Sequence, residues 1–251
     1  MLEGRVALVT GGGRGIGKAI ALGLAQDGAD VAINYRRDEA SASETVAQIE
    51  KVGRRAHAYA GSVDDFAQCE EMVGAAIADF GHIDILVNNA GNASRGLTVA
   101  DTDPAELDRT MRTHAFGAWS CSKLVLPSMR TRVRGDIVMI SSAATLHMAA
   151  NSAPYNMAKA ALEALAATLA KEERRNGIHV NVVAPGLVDT EMGRRLVKGA
   201  MGVSDIRTMD ATSAFGHVCS PSEVADAVRF LVSERGSYLT GQRIGVDGGA
   251  F

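Results

Sequence analysis

Cysteine is scarce in this chain of 251 residues: Cys69, Cys121 and Cys219 are widely spaced and match no metal-ligand pattern. That excludes a disulfide scaffold and leaves reduced, buried or inert thiols as the expectation. Proline is limited to five residues, and there is no Pro- or Ser-rich linker, internal repeat or low-complexity tract. One domain over residues 1–251 is therefore expected. Charge of one sign is also lacking, since the net charge is -3, so no basic field is available to hold nucleic acid or an anionic membrane. Long apolar runs are missing too. Met1-Leu2-Glu3-Gly4-Arg5 leads into a short apolar run that ends at glycines, which resembles neither a secretory signal nor a membrane span. A cytoplasmic protein is expected. His57, His82, His114, His147, His179 and His217 show no metal spacing, so no metal is predicted.

What the chain does have is 47% hydrophobic and 22% charged residues, enough for a full core. Short apolar runs at 5–10, 31–35, 54–59, 83–88, 136–141, 178–184 and 242–246 read as seven strands. Helical spacing fills 15–27, 39–52, 66–80 and 160–176 between them. Such alternation predicts an α/β fold, a doubly wound parallel sheet with helices on both faces. The least regular stretch, 186–221, carries Gly193, Gly199, Gly202 and Gly216 and is expected to form a substrate lid.

The first strand runs into Gly11-Gly12-Gly13-Arg14-Gly15-Ile16-Gly17, and a helical pattern follows. Glycines at a strand-to-helix turn let a pyrophosphate approach backbone N–H groups at the positive end of a helix. Tyr155 and Lys159, four residues apart on a helical stretch, project from one face of it. A free phenol titrates near pH ~10, and a fixed ammonium favours its ionised form.

Several motifs occur together and in one order. They are Thr-Gly-x-x-x-Gly-x-Gly at 10–17, Asn88-Asn89-Ala90-Gly91 closing the fourth strand, Ser142 thirteen residues before Tyr155-x-x-x-Lys159, and Pro185-Gly186 closing the sixth. From Gly4 to Gly249 the chain resembles the short-chain dehydrogenase/reductase family. The resemblance implies a single-domain Rossmann-type fold, a nicotinamide cofactor, a small-molecule carbonyl or alcohol substrate, and a homotetramer paired through the apolar stretch of Ala160, Ala161, Leu162, Leu165, Ala166 and Leu169. It implies that Ser142 holds the substrate oxygen while Tyr155, beside Lys159, gives or takes the proton. Cofactor contacts are implied at Gly11, Arg14, Gly15, Ile16 and Gly17, at Ser62 and Val63 beside the adenine, and at Asn88, Asn89, Ala90 and Gly91 after the fourth strand. Tyr155, Lys159, Pro185, Gly186, Val188 and Thr190 complete the set, Thr190 at the carboxamide.

Where the second strand ends in Asn34-Tyr35-Arg36-Arg37, the carboxylate that would pair with ribose hydroxyls is replaced by Tyr35. Arg36 and Arg14 instead suit a 2′-phosphate, so NADP(H) is expected over NAD(H). His114 stands twenty-eight residues before Ser142, where relatives carry an asparagine that completes a tetrad and holds a relay water. Either the backbone carbonyl there serves the relay, or His114 adds a titratable group; the first reading is preferred. The expected activity is an NADP(H)-dependent exchange of hydride with a carbonyl or secondary alcohol. The alternatives are an NAD-dependent alcohol dehydrogenase, or a nucleotide-binding sensor in which His114 marks lost catalysis.

Overall fold

The computed structural model describes residues 2–250. Its seven strands are β1 Val6–Val9, β2 Asp30–Tyr35, β3 Ala56–Ala60, β4 Ile85–Asn88, β5 Gly135–Ile140, β6 Ile178–Pro185 and β7 Arg243–Val246. All pair in parallel in the order β3-β2-β1-β4-β5-β6-β7. Every residue of β1, β4 and β5 is buried, because helices cover both faces of the sheet. One face packs Met72, Cys121, Val125 and Leu162 against Leu8, Leu86 and Ile137. The other packs Ile20, Leu24, Val224 and Leu231 against Val9, Ile33 and Val87. Each fully buried Leu or Ile removes enough apolar surface from water to be worth ~1.5–3 kcal/mol.

The helices are α1 Gly15–Gln26, α2 Glu39–Lys51, α3 Phe66–Phe80, α4 Pro104–Met111, α5 Gly117–Met129, α6 Ala144–His147, α7 Ala153–Glu173, α8 Glu191–Met201 and α9 Pro221–Val232. Local chemistry starts most of them. Asp38, Asp65 and Asp103 accept backbone N–H bonds at the starts of α2, α3 and α4, and Ser220 with Glu223 forms a reciprocal capping box on α9. The α4 and α5 helices are continuous through a π-helical turn, Arg112–Phe116, that carries His114. No helix among the described residues is long and apolar enough to cross a membrane.

All seven expected strands are present, with ends displaced by a few residues at most. The helix expected over 160–176 begins instead at Ala153, because Pro154 lies in its first turn, where a missing N–H costs nothing. Three of the six residues expected to pair subunits, Leu162, Ala166 and Leu169, are core residues facing the sheet. The outward side of α7 is formed by Ala164, Ala167 and Thr168. The stretch 186–221 is more regular than its glycines suggested. It contains α8 and short 3-10 segments at Ile206–Thr212 and Ala214–Gly216, packed around Val197, Ile206 and Val218. Met209 joins that packing, whereas Met192, Leu196, Met201 and Phe215 are exposed.

Candidate active site

The strand order reverses direction between β1 and β4, which opens a crevice outside their carboxyl ends. The glycine turn after β1 and the Asn88–Gly91 segment after β4 flank it. Gly11 and Gly15 have φ of +62° and +54°, left-handed values that favour glycine. A Cβ on Gly17 would come within 2.3 Å of the Gly11 carbonyl, and one on Gly12 within 2.7 Å of Ile33. The backbone therefore passes too close for side chains at these points. Unlike α2, α3, α4 and α9, α1 has no side chain capping its first N–H groups. An uncapped helix start behind a bare glycine turn fits a pyrophosphate.

Thr10 and Asn89 lock that turn to β4. The Thr10 hydroxyl accepts from the backbone N–H groups of Asn89 at 2.9 Å and Ala90 at 3.0 Å, and the Asn89 amide donates to the carbonyls of Thr10 at 2.9 Å and Gly11 at 3.3 Å. Asn88 faces inward, donating to Ser122 Oγ at 3.2 Å, so it braces the core rather than the crevice. Asn34, a buried polar residue in an otherwise apolar strand, accepts from Gly11 N–H at 3.3 Å and donates to the Gly61 carbonyl at 2.8 Å. It thereby ties the glycine turn to the loop that carries Ser62 and Val63. Ser62 Oγ donates to Asp64 at 2.5 Å, and the Val63 carbonyl accepts from the Cys69 thiol at 3.4 Å.

On the ribose side Tyr35 is partly buried, while Arg14, Arg36 and Arg37 are exposed. Arg36 and Arg37 form no ion pair with any described residue. Arg14 Nη1 reaches Glu191 at 3.0 Å and Asp38 at 4.0 Å, linking the glycine turn to the first turn of α8. Gly186 N–H donates to the Val246 carbonyl at 3.0 Å, and the Pro185 carbonyl accepts from Ala143 N–H at 2.8 Å. Val188 is buried and bridges to Cys219. Thr190 Oγ1 caps α8 by accepting from Gly193 N–H at 3.0 Å, and its methyl faces Gly15.

Tyr155 and Lys159 lie on one face of α7, as their spacing required. Lys159 Nζ is 5.7 Å from the Tyr155 ring centroid and donates to the Ile140 carbonyl at 2.7 Å. The lysine is buried, and burial lowers its pKa to about 7, partly opposed by Glu163. Burial pushes the Tyr155 phenol above its ordinary value, against a smaller lowering from a hydrogen bond with Ser142. The net shift is thus opposite to the one expected from the lysine alone, and Tyr155 is protonated. Ser142 is partly exposed at the carboxyl end of β5, and its Oγ accepts from Ala144 N–H at 3.2 Å. Ser141 is buried, and its hydroxyl donates to Glu163 at 2.6 Å. Of the adjacent serines, only Ser142 is open to a ligand.

The model of the family described as enoyl-(acyl carrier protein) reductase matches residues 11–250. The chain is 35% identical over 252 residues to a short-chain dehydrogenase/reductase of Armillaria gallica, covering 98% of this chain and 96% of that protein. The chain belongs to the short-chain dehydrogenase/reductase family. It is 34% identical over 253 residues to the L-rhamnose 1-dehydrogenase (NAD(P)(+)) of Sphingomonas sp. (strain SKA58), covering 100% of this chain and 98% of that one. It also matches the solved structure of a blue fluorescent protein from a metagenomic library in complex with NADPH, with a TM-score of 0.90 and 35% identity over 99% of this chain and 98% of that chain. As a short-chain dehydrogenase/reductase it is an oxidoreductase acting on alcohol or carbonyl groups with a nicotinamide cofactor.

His114, the candidate tetrad position, lies in the π-helical turn between α4 and α5. Its ring is buried, with Nε2 2.8 Å from the Asn92 carbonyl and 3.1 Å from the Asn92 amide nitrogen. It donates to the first in one tautomer or accepts from the second in the other. Nδ1 is buried without a hydrogen-bond partner and the ring lies against Gly91, where a Cβ would sit 2.5 Å from His114 Cε1. Burial first, and the charge of Lys159 second, lower the imidazole pKa to about 3, so His114 is neutral. Residues to which the sequence alone assigned no role are Thr10, Asn34, Thr145, Glu163 and Arg243. For Thr10 and Asn34 the signal was a polar side chain in an otherwise apolar run, which requires a partner when buried.

Proposed function

We propose that the protein exchanges hydride between C4 of NADP(H) and a carbonyl or secondary alcohol carbon, with Tyr155 as general acid and base. The observation that supports this best is the placement of Tyr155 on α7 with the buried Lys159 Nζ 5.7 Å from its ring centroid and the accessible Ser142 at the carboxyl end of β5. In the reductive direction Ser142 donates a hydrogen bond to the substrate oxygen and Tyr155 delivers the proton to it. Lys159, anchored on the Ile140 carbonyl, sets the local charge that favours the phenolate left behind. When bound, the nicotinamide supplies the hydride or accepts it in reverse. His114, as a neutral ring, fixes the Asn92 backbone and takes no proton itself.

Gly11, Arg14, Gly15, Ile16 and Gly17 would hold the pyrophosphate, and Ser62 and Val63 the adenine. Tyr35 and Arg36 would meet the ribose phosphate. Asn89, Ala90 and Gly91 would border the cofactor, with Pro185, Gly186, Val188 and Thr190 toward the nicotinamide. The preference for NADP(H) rests on the unpaired Arg36 and Arg37. A second reading, use of NAD(H) as well, is favoured by Arg14, whose guanidinium is already engaged by Glu191. Residues 186–221 would close over the substrate within a single domain, and exposed Met192, Leu196, Met201 and Phe215 suit an apolar substrate. A cytoplasmic homotetramer completes the proposal, with Ala164, Ala167 and Thr168 of α7 at a subunit contact. Oxidation of NADPH and NADH against a panel of ketones, diketones and 3-oxoacyl thioesters tests it. Turnover with NADPH preferred is expected, and no turnover with any member of the panel would favour the binding-protein alternative.

A further inference from the structure

Glu163 follows Lys159 by one helical turn and Tyr155 by two, so the three residues share a side of α7. Its Oε1 accepts from Ser141 Oγ at 2.6 Å and from Arg243 Nε at 3.2 Å, and Thr145 Oγ1 lies 2.9 Å away. Arg243, the first residue of β7, also donates from Nη2 to the Ser142 carbonyl at 3.3 Å and to Thr145 Oγ1 at 3.1 Å. The side chains of Arg243 and Glu163 are 25% and 22% exposed, so this pair is screened far less than a surface ion pair. Three elements meet in it: the helix of Tyr155 and Lys159, the turn of Ser142, and the last strand. A turn that must present one hydroxyl to a ligand needs its backbone held: the Ser142 carbonyl accepts locally from Thr145 Oγ1 at 3.0 Å and Thr145 N–H at 3.2 Å, and Arg243 ties that local turn to β7.

We propose that Glu163 and Arg243 are positioning residues for hydride transfer: together they clamp the Ser142 turn to the helix of Tyr155 and Lys159, and Glu163 supplies the counter-charge to Lys159. The groups around Lys159 are few. Tyr155 and Glu163 come from α7, neutral His114 from the π-helical turn, and the Ile140 carbonyl from β5. Among the described residues, Glu163 is the negative side chain that opposes the loss of the lysine's charge on burial.

The inference rests on the proposed roles of Ser142 and Tyr155, and its test separates the two. Using the ketone of the panel that NADPH reduces fastest, kcat and kcat/KM are measured against pH for wild type, Glu163→Gln, Arg243→Met and Arg243→Lys. Removal of the carboxylate charge lets the Lys159 pKa fall below about 7, so the alkaline limb of kcat/KM moves to lower pH. A shift of at least about half a pH unit is expected in Glu163→Gln, with NADPH affinity unchanged. Arg243→Met should lower kcat about tenfold with little change in cofactor KM, and Arg243→Lys should restore part of it, since looser geometry at the reacting centre acts on turnover. If Glu163→Gln does not fold, the uncharged Glu163→Ser and the Arg243 pair carry the same comparison. Folded variants with wild-type pH limbs and kcat would overturn the proposal, while an active Tyr155→Phe would overturn instead the functional reading beneath it.

Discussion

His114 stands edge-on to Tyr155, with ring centroids 5.4 Å apart and planes at 87°. An imidazole this close to a proton-transferring phenol would be a natural shuttle if it titrated near its ordinary value. Burial and the Lys159 charge instead lower it to about 3. Wild-type pH–rate profiles are therefore expected to lack a histidine limb between about pH 5 and 8, and His114→Asn to stay within a few-fold of wild-type turnover. Both are read from kcat against pH. An acid limb near pH ~6.5 that disappears in His114→Asn would make the imidazole a proton carrier.

The same shift has a consequence for stability. The folded-state value of about 3 lies below the unfolded value of 6.5, so the neutral ring stabilises the fold fully above pH 6.5, and that contribution is lost as pH falls toward 3. Urea denaturation at a series of pH values should show wild type losing stability faster than His114→Asn across this window. Parallel slopes would mean that the ring protonates freely in the folded protein.

Gly91 is tied to His114 by space rather than by conformation. A Cβ there would lie 2.5 Å from Cε1 and 3.1 Å from Nδ1 of the ring. Gly91→Ala is expected to cost about 1–3 kcal/mol in denaturant unfolding, the usual range for overpacking. In His114→Ala the same substitution should cost less, with a coupling of at least about 0.5 kcal/mol in a double-mutant cycle. Additive effects would contradict the contact.

The fold was legible in the sequence because its central strands β1, β4 and β5 carry continuous apolar runs, and two-sided burial leaves little else for them to be. The site was legible where a motif fixes spacing, as with Tyr155 and Lys159, or with Gly11 to Gly17. Three things were not. The stretch 186–221 reads as loop because its glycines are numerous, yet α8 forms there around Val197. The apolar positions of α7 read as a subunit contact, and only tertiary packing decides that Leu162, Ala166 and Leu169 face the sheet. The balance of influences on Tyr155 depends on how deeply the ring is buried, which spacing does not report.

Cofactor choice is tested by Arg36→Asp, which removes a partner for a 2′-phosphate and adds an acceptor for ribose hydroxyls. Loss of one charge-assisted contact is worth about 1.5–3 kcal/mol, so the NADPH-to-NADH affinity ratio should fall by roughly 10- to 100-fold in fluorescence titrations. An unchanged ratio would remove Arg36 from the phosphate site.

Tyr155 as proton donor is tested most directly by NADPH oxidation by wild type and Tyr155→Phe with the same ketone at saturating cofactor. General acid catalysis contributes ~10²–10⁴-fold, so Tyr155→Phe should lose turnover by that factor or more while binding NADPH as tightly as wild type. A Tyr155→Phe protein that turns over within a few-fold of wild type would contradict the account.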